Sequence, residues 1–140
     1  SSPNQVHAAA MAARLKEMVM SNLEVSARMK VRQGKLEDFK RQAAEIVKQT
    51  KQKDTKTLRY DWFLSEDGTE CEIREAYEGP EGLVEHRQHV GDALNKLFAE
   101  YADDHRVMVY GKPSPQLMEM SKRMPQGSVK WYSLVKGLGA

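Results

Sequence analysis

The chain is poor in cysteine, since Cys71 is the single one in 140 residues. One thiol cannot close an intrachain disulfide or supply a thiolate metal cluster, so neither crosslink is expected to hold the fold. A run of about 18 apolar residues is also missing, and residues 1–13 lack the cationic start and long apolar stretch of a secretory signal. These absences predict a protein of the reducing cytoplasm without a membrane partner.

An excess of one charge is missing as well. The 22 Lys and Arg residues are nearly balanced by 20 Asp and Glu, which gives a net charge of +2, and the basic residues are scattered among the acids. A nucleic-acid partner normally requires a concentrated basic face, so we expect none. A composition that is 40% hydrophobic and 30% charged fits one globular domain rather than a disordered or membrane protein.

The first half of the chain is predicted to begin with two helices separated by a strand. Residues 5–20 are rich in alanine and methionine without Gly or Pro, which favours a helix. Residues 23–31 alternate between apolar and polar, the period of a half-buried strand. After Gly34, apolar residues recur at helical spacing up to Thr50, and the charged run from Lys48 to Lys56 is interpreted as a fraying end and a solvated loop. We expect residues 1–21 to form a helical extension and residues 22–140 to form the domain.

A β-hairpin is the clearest local pattern. Two alternating runs, LRYDWFLSE and TECEIREAY, flank Asp67-Gly68, which suits a two-residue type I′ turn. If Glu66 pairs with Thr69, the register follows by counting. The predicted opposite pairs are Leu64 with Cys71, Trp62 with Ile73, Tyr60 with Glu75, Leu58 with Tyr77 and, on the other face, Asp61 with Arg74. One face is therefore apolar and aromatic but carries the carboxylate of Glu75.

A second long helix follows the hairpin. Pro80 suits its first turn, and an apolar stripe at positions 83, 86, 90, 94, 97 and 101 turns His86 toward the core. Gly91-Asp92 is predicted to interrupt this helix. A strand, RVMVYG, a short helix after Ser114 and a last strand, SVKWYSLV, complete the chain.

The order of elements defines the fold class. After the first helix it is β-α-β-β-α-β followed by α-β, which predicts an α+β fold with a ferredoxin-like split βαβ antiparallel sheet and helices on one face. The other sheet face must be covered, because a bare face of this size would be a large exposed patch. A second copy of the chain is the simplest cover, so we expect a homodimer of two sheets packed face to face.

Several short segments resemble one protein family in their order and spacing. They are GKLEDF from Gly34, LRYDWF from Leu58, Glu75-Ala76-Tyr77, His86, Val109-Tyr110-Gly111 and Gly137-Leu138. Together they make the stretch from Leu23 to Leu138 similar to the antibiotic biosynthesis monooxygenase domain, a dimeric α/β-barrel family that includes quinol monooxygenase-like proteins. The helical residues before Ser21 are extra to this resemblance.

The resemblance implies a site for a small aromatic or enolisable molecule between the sheet and the helices. Some members oxidise anthrones or quinols with molecular oxygen and no cofactor, some isomerise small keto sugars, and relatives degrade haem. Such oxygenation needs a base and a group that steadies the resulting anion in a mostly apolar pocket. Glu75 or His86 is the predicted base and Tyr60 the hydrogen-bond donor. The substrate-binding candidates are Trp62, Tyr77, His89 and Trp131.

Alternatives remain open at this level. Glu75 and His86 could instead form a satisfied polar cluster with a tyrosine, since a buried acid needs a partner whether or not it catalyses. His89 is placed at the rim of the pocket or in solvent, and only one of Trp131 and Tyr132 can line the site. His86 and His89 share a helix face, but no third ligand is evident, so neither a metal nor another cofactor is predicted. The competing functions are a cofactor-free isomerase and a non-catalytic dimeric binding module.

Overall fold

The computed structural model describes the backbone of residues 2–139 and the side chains of residues 2–14 and 22–139. Four helices and five strands follow one another in the predicted order. Their bounds are α1 Pro3–Ser21, β1 Leu23–Val31, α2 Leu36–Lys53, β2 Thr57–Leu64, β3 Glu70–Tyr77, α3 Pro80–Glu100, β4 Ala102–Tyr110, α4 Pro115–Ser121 and β5 Val129–Tyr132.

The five strands form one sheet in the order β2-β3-β1-β4-β5. The first four strands pair antiparallel, in the arrangement expected of a ferredoxin-like split βαβ unit. The last strand, β5, joins the edge of β4 in parallel, which the crossover through α4 allows. The predicted α+β fold class is confirmed, and the sheet is mixed rather than wholly antiparallel.

Helices α2 and α3 cover one face of the sheet. In β1 the alternate residues Leu23, Val25, Ala27 and Met29 are each at most 4% exposed and point toward the helices. Phe39 and Ile46 of α2 pack with Val90, Leu94 and Leu97 of α3 against this face. The Gln42 side-chain amide also donates to the Ala93 carbonyl at 2.9 Å, which ties the two helices together. Apolar alternation in the strands and helical spacing in α2 and α3 therefore bury a common core.

Helix α3 continues without a break from Pro80 to Glu100, which corrects the predicted interruption at Gly91-Asp92. A glycine within a helix costs only about 1 kcal/mol relative to alanine. The residues on either side compensate, since Val90 and Leu94 are buried in the core. The predicted break was therefore wrong, because the packing tolerates this glycine.

The β2–β3 hairpin keeps the predicted register but has a wider turn. Tyr60 lies opposite Glu75, and Asp61 lies opposite Arg74. The strands close where the Ser65 amide donates to the Glu70 carbonyl at 2.8 Å, so residues 66–69 form the loop. A type I′ turn requires a positive φ at both central residues. Gly68 has a φ of 73° but Asp67 does not have a positive φ, so the predicted type I′ turn is wrong.

Side-chain hydrogen bonds explain the wider loop. One carboxylate oxygen of Asp67 accepts from the hydroxyls of Ser65 and Thr69 and from the Thr69 amide. Such bonds stabilise a turn in which Asp67 need not adopt a left-handed conformation. The loop gains one residue on each side, so the facing pairs of the strands do not change.

The start of β2 differs from the prediction. A bulge sets Thr57, rather than Leu58, opposite Tyr77, and Leu58 is 52% exposed. A bulge adds one residue to one strand, so the residues before it point to the opposite face from the one that simple alternation predicts. The Thr57 hydroxyl consequently reaches the carboxylate of Asp54 and donates to it.

The other face of the sheet is open to solvent in the single chain. It carries Phe63, Tyr110 and Tyr132, which are 47%, 41% and 44% exposed, among charged side chains. Helix α1 confirms the predicted N-terminal helix, and its residues up to Arg14 are exposed. Within residues 2–139, no helix combines the length and apolarity that crossing a membrane would require.

Candidate functional site

A cavity of about 480 Å³ lies between the helix-facing side of the sheet and helices α3 and α4. This volume is in the range of about 300–1,000 Å³ that is usual for small-molecule sites. Its floor is built by alternate residues of the central strands, among them Val25, Ile73, Glu75 and Val109. The strand period of two brings these side chains to one face, and it brings Glu75 with them.

Glu75 is the carboxylate of the cavity floor, and its side chain is buried within the sheet. The residue is 8% exposed, and the Tyr77 hydroxyl donates a hydrogen bond to its Oε1. Burial raises the pKa of Glu75 to about 7, although the bond from Tyr77 and the charge of Arg87 act in the opposite direction. Glu75 therefore holds a proton about half of the time at neutral pH and can donate it.

His86 reaches the same cavity from α3, and its imidazole is held by a carboxylate. Its Nδ1 lies 2.7 Å from Oδ2 of Asp54, and the two side chains are only 1% and 2% exposed. A carboxylate only accepts hydrogen bonds, so Nδ1 carries the proton in the neutral ring and Nε2 keeps its lone pair. Nε2 is buried and has no hydrogen-bond partner among the described residues.

The environment of His86 favours the neutral imidazole. Burial lowers its pKa below the ordinary value, which outweighs the hydrogen bond and charge of Asp54. Burial by itself would raise the pKa of Asp54, but hydrogen bonds from Thr57, His89 and His86 bring it below the usual range. Asp54 is thus ionised and His86 is neutral at pH 7, the protonation states of an oriented general base.

Two tyrosine rings enclose the His86 ring. The ring centroids of Tyr60 and Tyr77 lie 4.4 Å and 5.5 Å from it. Burial, followed by the charge of Glu75, raises the pKa of both phenols well above the ordinary value. Both hydroxyls therefore stay protonated. Tyr60 lines the cavity and can donate a hydrogen bond there, whereas the Tyr77 hydroxyl is directed to Glu75.

Asp54 connects the buried His86 to a second histidine closer to the surface. The Nδ1 atom of His89 lies 2.6 Å from the other carboxylate oxygen of Asp54, and the His89 side chain is 29% exposed. Ligand atoms of Asp54, Glu85 and His89 lie within 4.8 Å of one another, so these residues are the ones that could hold a metal ion. Glu85 also accepts from the backbone amide of Thr55 at 2.6 Å. The carboxylates of Asp54 and Glu85 therefore already accept hydrogen bonds from protein groups.

One wall of the cavity is formed by α3, α4 and the turn that follows α4. Helix α3 contributes Arg87, Gly91 and Asn95, which are four residues apart and therefore share one side of the helix. Met120 of α4 and Met124 of the turn after it line the cavity as well. A Cβ atom built at Gly91 would meet nothing within 4 Å, so the missing side chain leaves open space in the wall. On β5, Trp131 lines the cavity, whereas Tyr132 is 44% exposed and stacks on Tyr110.

The structure brings four of the predicted site residues to this cavity: Tyr60, Glu75, His86 and Trp131. The other three lie next to it without lining it. Trp62 packs edge-on against Phe39 and Tyr60, at centroid distances of 6.0 and 5.9 Å. Tyr77 lies behind Glu75, and His89 lies behind Asp54.

Asp54 and Arg87 are the functional candidates that the sequence analysis missed. Asp54 lies directly after α2, inside the run from Lys48 to Lys56 that was interpreted as solvated. That interpretation fits the exposed Lys48, Lys51 and Lys53 but is wrong for Asp54. The available signal was the pair of histidines three residues apart on one helix, since both need a hydrogen-bond acceptor.

Comparison with solved structures gives the fold a context. MupZ from Pseudomonas fluorescens is similar, with 21% sequence identity over 83% of this chain and 92% of its own and a TM-score of 0.68. A candidate antibiotic biosynthesis monooxygenase from Nitrosomonas europaea has 20% identity, covers 68% of this chain and 93% of its own, and has a TM-score of 0.59. Another antibiotic biosynthesis monooxygenase has 20% identity, covers 66% of this chain and 99% of its own, and has a TM-score of 0.57.

These likenesses confirm the fold that the resemblance implied. No family model matches the chain, and no curated protein matches it. At about 20% identity the shared feature is the architecture, and fold alone does not determine an activity.

Proposed function

We propose that the chain is a cofactor-independent, monooxygenase-like enzyme that acts on a quinol, an anthrone or a related aromatic enol. The observation that carries this proposal is the unpartnered, buried Nε2 of His86, held by Asp54 on the wall of a mainly apolar cavity in the part of the chain that the structure describes. An unpaired buried nitrogen is costly, and a ligand that donates a hydrogen bond to it would remove that cost. The fold shared with antibiotic biosynthesis monooxygenases supports the same class of chemistry.

The first step is proton transfer from the substrate to His86. The aromatic ring lies in the apolar cavity, and Nε2 takes the acidic proton of the substrate. The resulting imidazolium is steadied by the ionised Asp54. Tyr60 donates a hydrogen bond to a substrate oxygen, and Arg87 stabilises the anion by its charge.

The anion then reacts with molecular oxygen, the co-substrate. The carbanion transfers one electron to oxygen, and the two radicals combine through a new carbon–oxygen bond to give a peroxide anion. His86 or the protonated Glu75 returns one proton to form the hydroperoxide. Loss of water leaves a carbonyl group, so one methylene group and one molecule of oxygen give one carbonyl group and one molecule of water. Exclusion of bulk water by the buried floor protects the anion until oxygen arrives.

An oxygen electrode tests this reaction. The purified chain is screened against anthrones, quinols and catechols, with oxygen uptake, ketone and hydrogen peroxide measured in each sample and metal content measured on the same protein. We expect one molecule of oxygen consumed per carbonyl formed, without peroxide accumulation. His86→Asn should reduce the rate by about 10²–10⁴-fold, and His7→Asn on the exposed part of α1 should not.

The alternative within the same cavity is a cofactor-free isomerase. A base at His86 and a half-protonated acid at Glu75 are also the pair that moves a proton between two carbons. Exchange of substrate hydrogen with deuterated solvent, without oxygen uptake, would favour this reaction. A protein that binds ring compounds and accelerates neither process would be the non-catalytic binding module.

We also propose that the chain works as a homodimer in the cytoplasm. The sheet face with Phe63, Tyr110 and Tyr132 is open, and two of its arginines stand beside carboxylates, Arg28 beside Glu72 at 3.1 Å and Arg59 beside Asp61 at 2.7 Å. A patch of alternating charge and aromatic rings is complementary to itself in a twofold interface. Light scattering at micromolar concentration should give twice the 15.9 kDa chain mass, and a monomer would contradict the dimer.

A further inference from the structure

Arg87 is a charged residue of the cavity wall whose guanidinium lacks a carboxylate partner among the described residues. Other arginines, such as Arg28, Arg32 and Arg41, are paired with acids, whereas Arg87 forms no salt bridge among residues 2–139. Its one side-chain hydrogen bond within this range goes to Sδ of Met124 at 3.9 Å. A thioether is a weak acceptor, so most of the five N–H donors remain available.

Arg87 is partly withdrawn from solvent in the cavity wall. The residue is half-buried, while the neighbouring lining residues Asn95 and Arg123 are exposed. A guanidinium that has lost part of its water without gaining an acid is held at a free-energy cost. A ligand with an acceptor group would recover that cost.

The charges of the cavity wall are also unbalanced. Arg87 and Arg123 both line it, and Glu75 is the single acidic residue among the described lining residues. The pKa of Glu75 is raised to about 7 by burial, so at neutral pH this carboxyl offsets only part of one positive charge. His105 stacks on Phe98 at 3.9 Å in the same wall, and burial followed by the Arg87 charge lowers its pKa to about 4. His105 therefore adds no charge at pH 7.

We propose that the ligand of this cavity is an aromatic acid, whose ring system fills the apolar part while its carboxylate binds the guanidinium of Arg87. This inference rests on the proposed function and narrows its substrate class from any aromatic enol to one with a permanent negative group. The planar guanidinium matches a carboxylate through two parallel N–H···O bonds. The apolar surface around Leu94, Phe98 and Trp131 receives the ring.

Two inert probes of the same shape test the role of charge. 2-Naphthoate and 2-naphthamide differ in the carboxylate and cannot be deprotonated at an activated carbon, so they measure ground-state binding alone. Calorimetric titration of the full chain at pH 7 should show naphthoate binding at least about tenfold more tightly than the amide, the strength of a charge-assisted hydrogen-bond pair.

Variants of Arg87 locate the effect. Arg87→Gln should reduce the ratio of the two affinities to near one while the amide binds as before, and Arg87→Lys should keep a smaller preference because an ammonium cannot form the bidentate pair. Arg41→Gln, an exposed arginine on α2 that does not line the cavity, is the matched control and should keep the full preference. Circular dichroism checks that each variant is folded.

Three results would overturn the proposal. The first is equal affinity of the parent for the two probes. The second is an equal loss of affinity for both probes in Arg87→Gln, and the third is loss of the preference for naphthoate in Arg41→Gln. The outcome is separable from the reaction itself, since neither probe turns over. A chain that prefers naphthoate but consumes no oxygen with any substrate would refute the monooxygenase and leave the anionic ligand in place.

Discussion

The Nδ1 atom of His86 and the Oδ2 atom of Asp54 lie 2.7 Å apart in a part of the protein where both side chains are almost fully buried. The pair joins the first half of α3 to the end of α2, and the two residues are 32 positions apart in the chain. It orients the ring and leaves Nε2 as the ring nitrogen without a hydrogen-bond partner among the described residues. The catalytic proposal therefore depends on this contact more than on any single residue.

Replacing Asp54 tests the contact directly. In Asp54→Asn the neutral amide no longer steadies an imidazolium at His86, and it can turn its amino group toward Nδ1, which stabilises the wrong tautomer. We expect the rate of oxygen uptake to fall by about 10²–10⁴-fold with a smaller change in KM. ¹⁵N NMR of the His86 ring should show the proton moving from Nδ1 to Nε2.

Asp92→Asn serves as the control for the Asp54 variant. Asp92 is an exposed acid on α3, so its replacement should leave both the rate and the ring spectrum unchanged. Full activity in Asp54→Asn would exclude His86 acting as a base oriented by Asp54.

Glu75 should make stability fall as the pH rises. Its pKa is 4.5 in the ordinary state and about 7 in the fold, so the folded protein binds more protons than the unfolded one between these values. Stability from this group is complete below pH 4.5 and is lost as the pH passes about 7. Glu75→Gln removes the buried charge and should be more stable than the parent at pH 8 by about 3 kcal/mol.

Urea unfolding at pH 5 and pH 8 measures this difference. The amide oxygen of the introduced glutamine can still accept the hydrogen bond from Tyr77, so packing is conserved. Glu45→Gln, an exposed position on α2, should follow the parent at both pH values. Equal stability of Glu75→Gln and the parent at pH 8 would show that Glu75 is not buried as a titrating group.

Gly91 offers a way to fill the cavity without straining the backbone. Gly91→Ala places a methyl group in open space inside a helix and should stabilise the fold by about 1 kcal/mol, or roughly 4 °C in Tm. Gly91→Leu extends further into the wall and should weaken binding of a ring compound by at least about tenfold.

Thermal unfolding and probe titration separate the two effects of Gly91. Ala99→Leu on the exposed side of α3 is the control for added apolar bulk. If Gly91→Leu binds the ring as tightly as the parent, the cavity beside α3 is not the ligand site.

Cys71 should behave as a buried packing residue. It is 3% exposed, and burial raises the pKa of its thiol to about 12. The reactive thiolate is therefore almost absent at pH 8, and access is closed. Labelling with a disulfide reagent should be slow in native buffer and immediate in concentrated urea, whereas rapid native labelling would contradict the core position.

Local patterns in the sequence were sufficient for the register of the β2–β3 hairpin from Tyr60 to Leu64, whereas the bulge at Leu58 was not predicted. The alternation in residues 60–64 and 71–75 specifies which side chains share a face, and a slip of one residue would have turned Glu75 and Tyr60 to solvent. The register survived a wrong turn type because the loop widened symmetrically around Asp67-Gly68. Helical spacing likewise placed His86 in the core.

The tertiary structure alone decided the partner of His86 and the charge of the cavity. Asp54 lies in a stretch with no periodicity, and its burial results from the packing of α2 on α3 and from the bulge that brings Thr57 to it. Arg87 follows His86 directly, and only the placement of α4 over α3 makes it part of a cavity wall. Periodicity reports the face of an element to which a residue belongs. The contacts between residues distant in the chain depend on how those faces dock, and the docking determined this site.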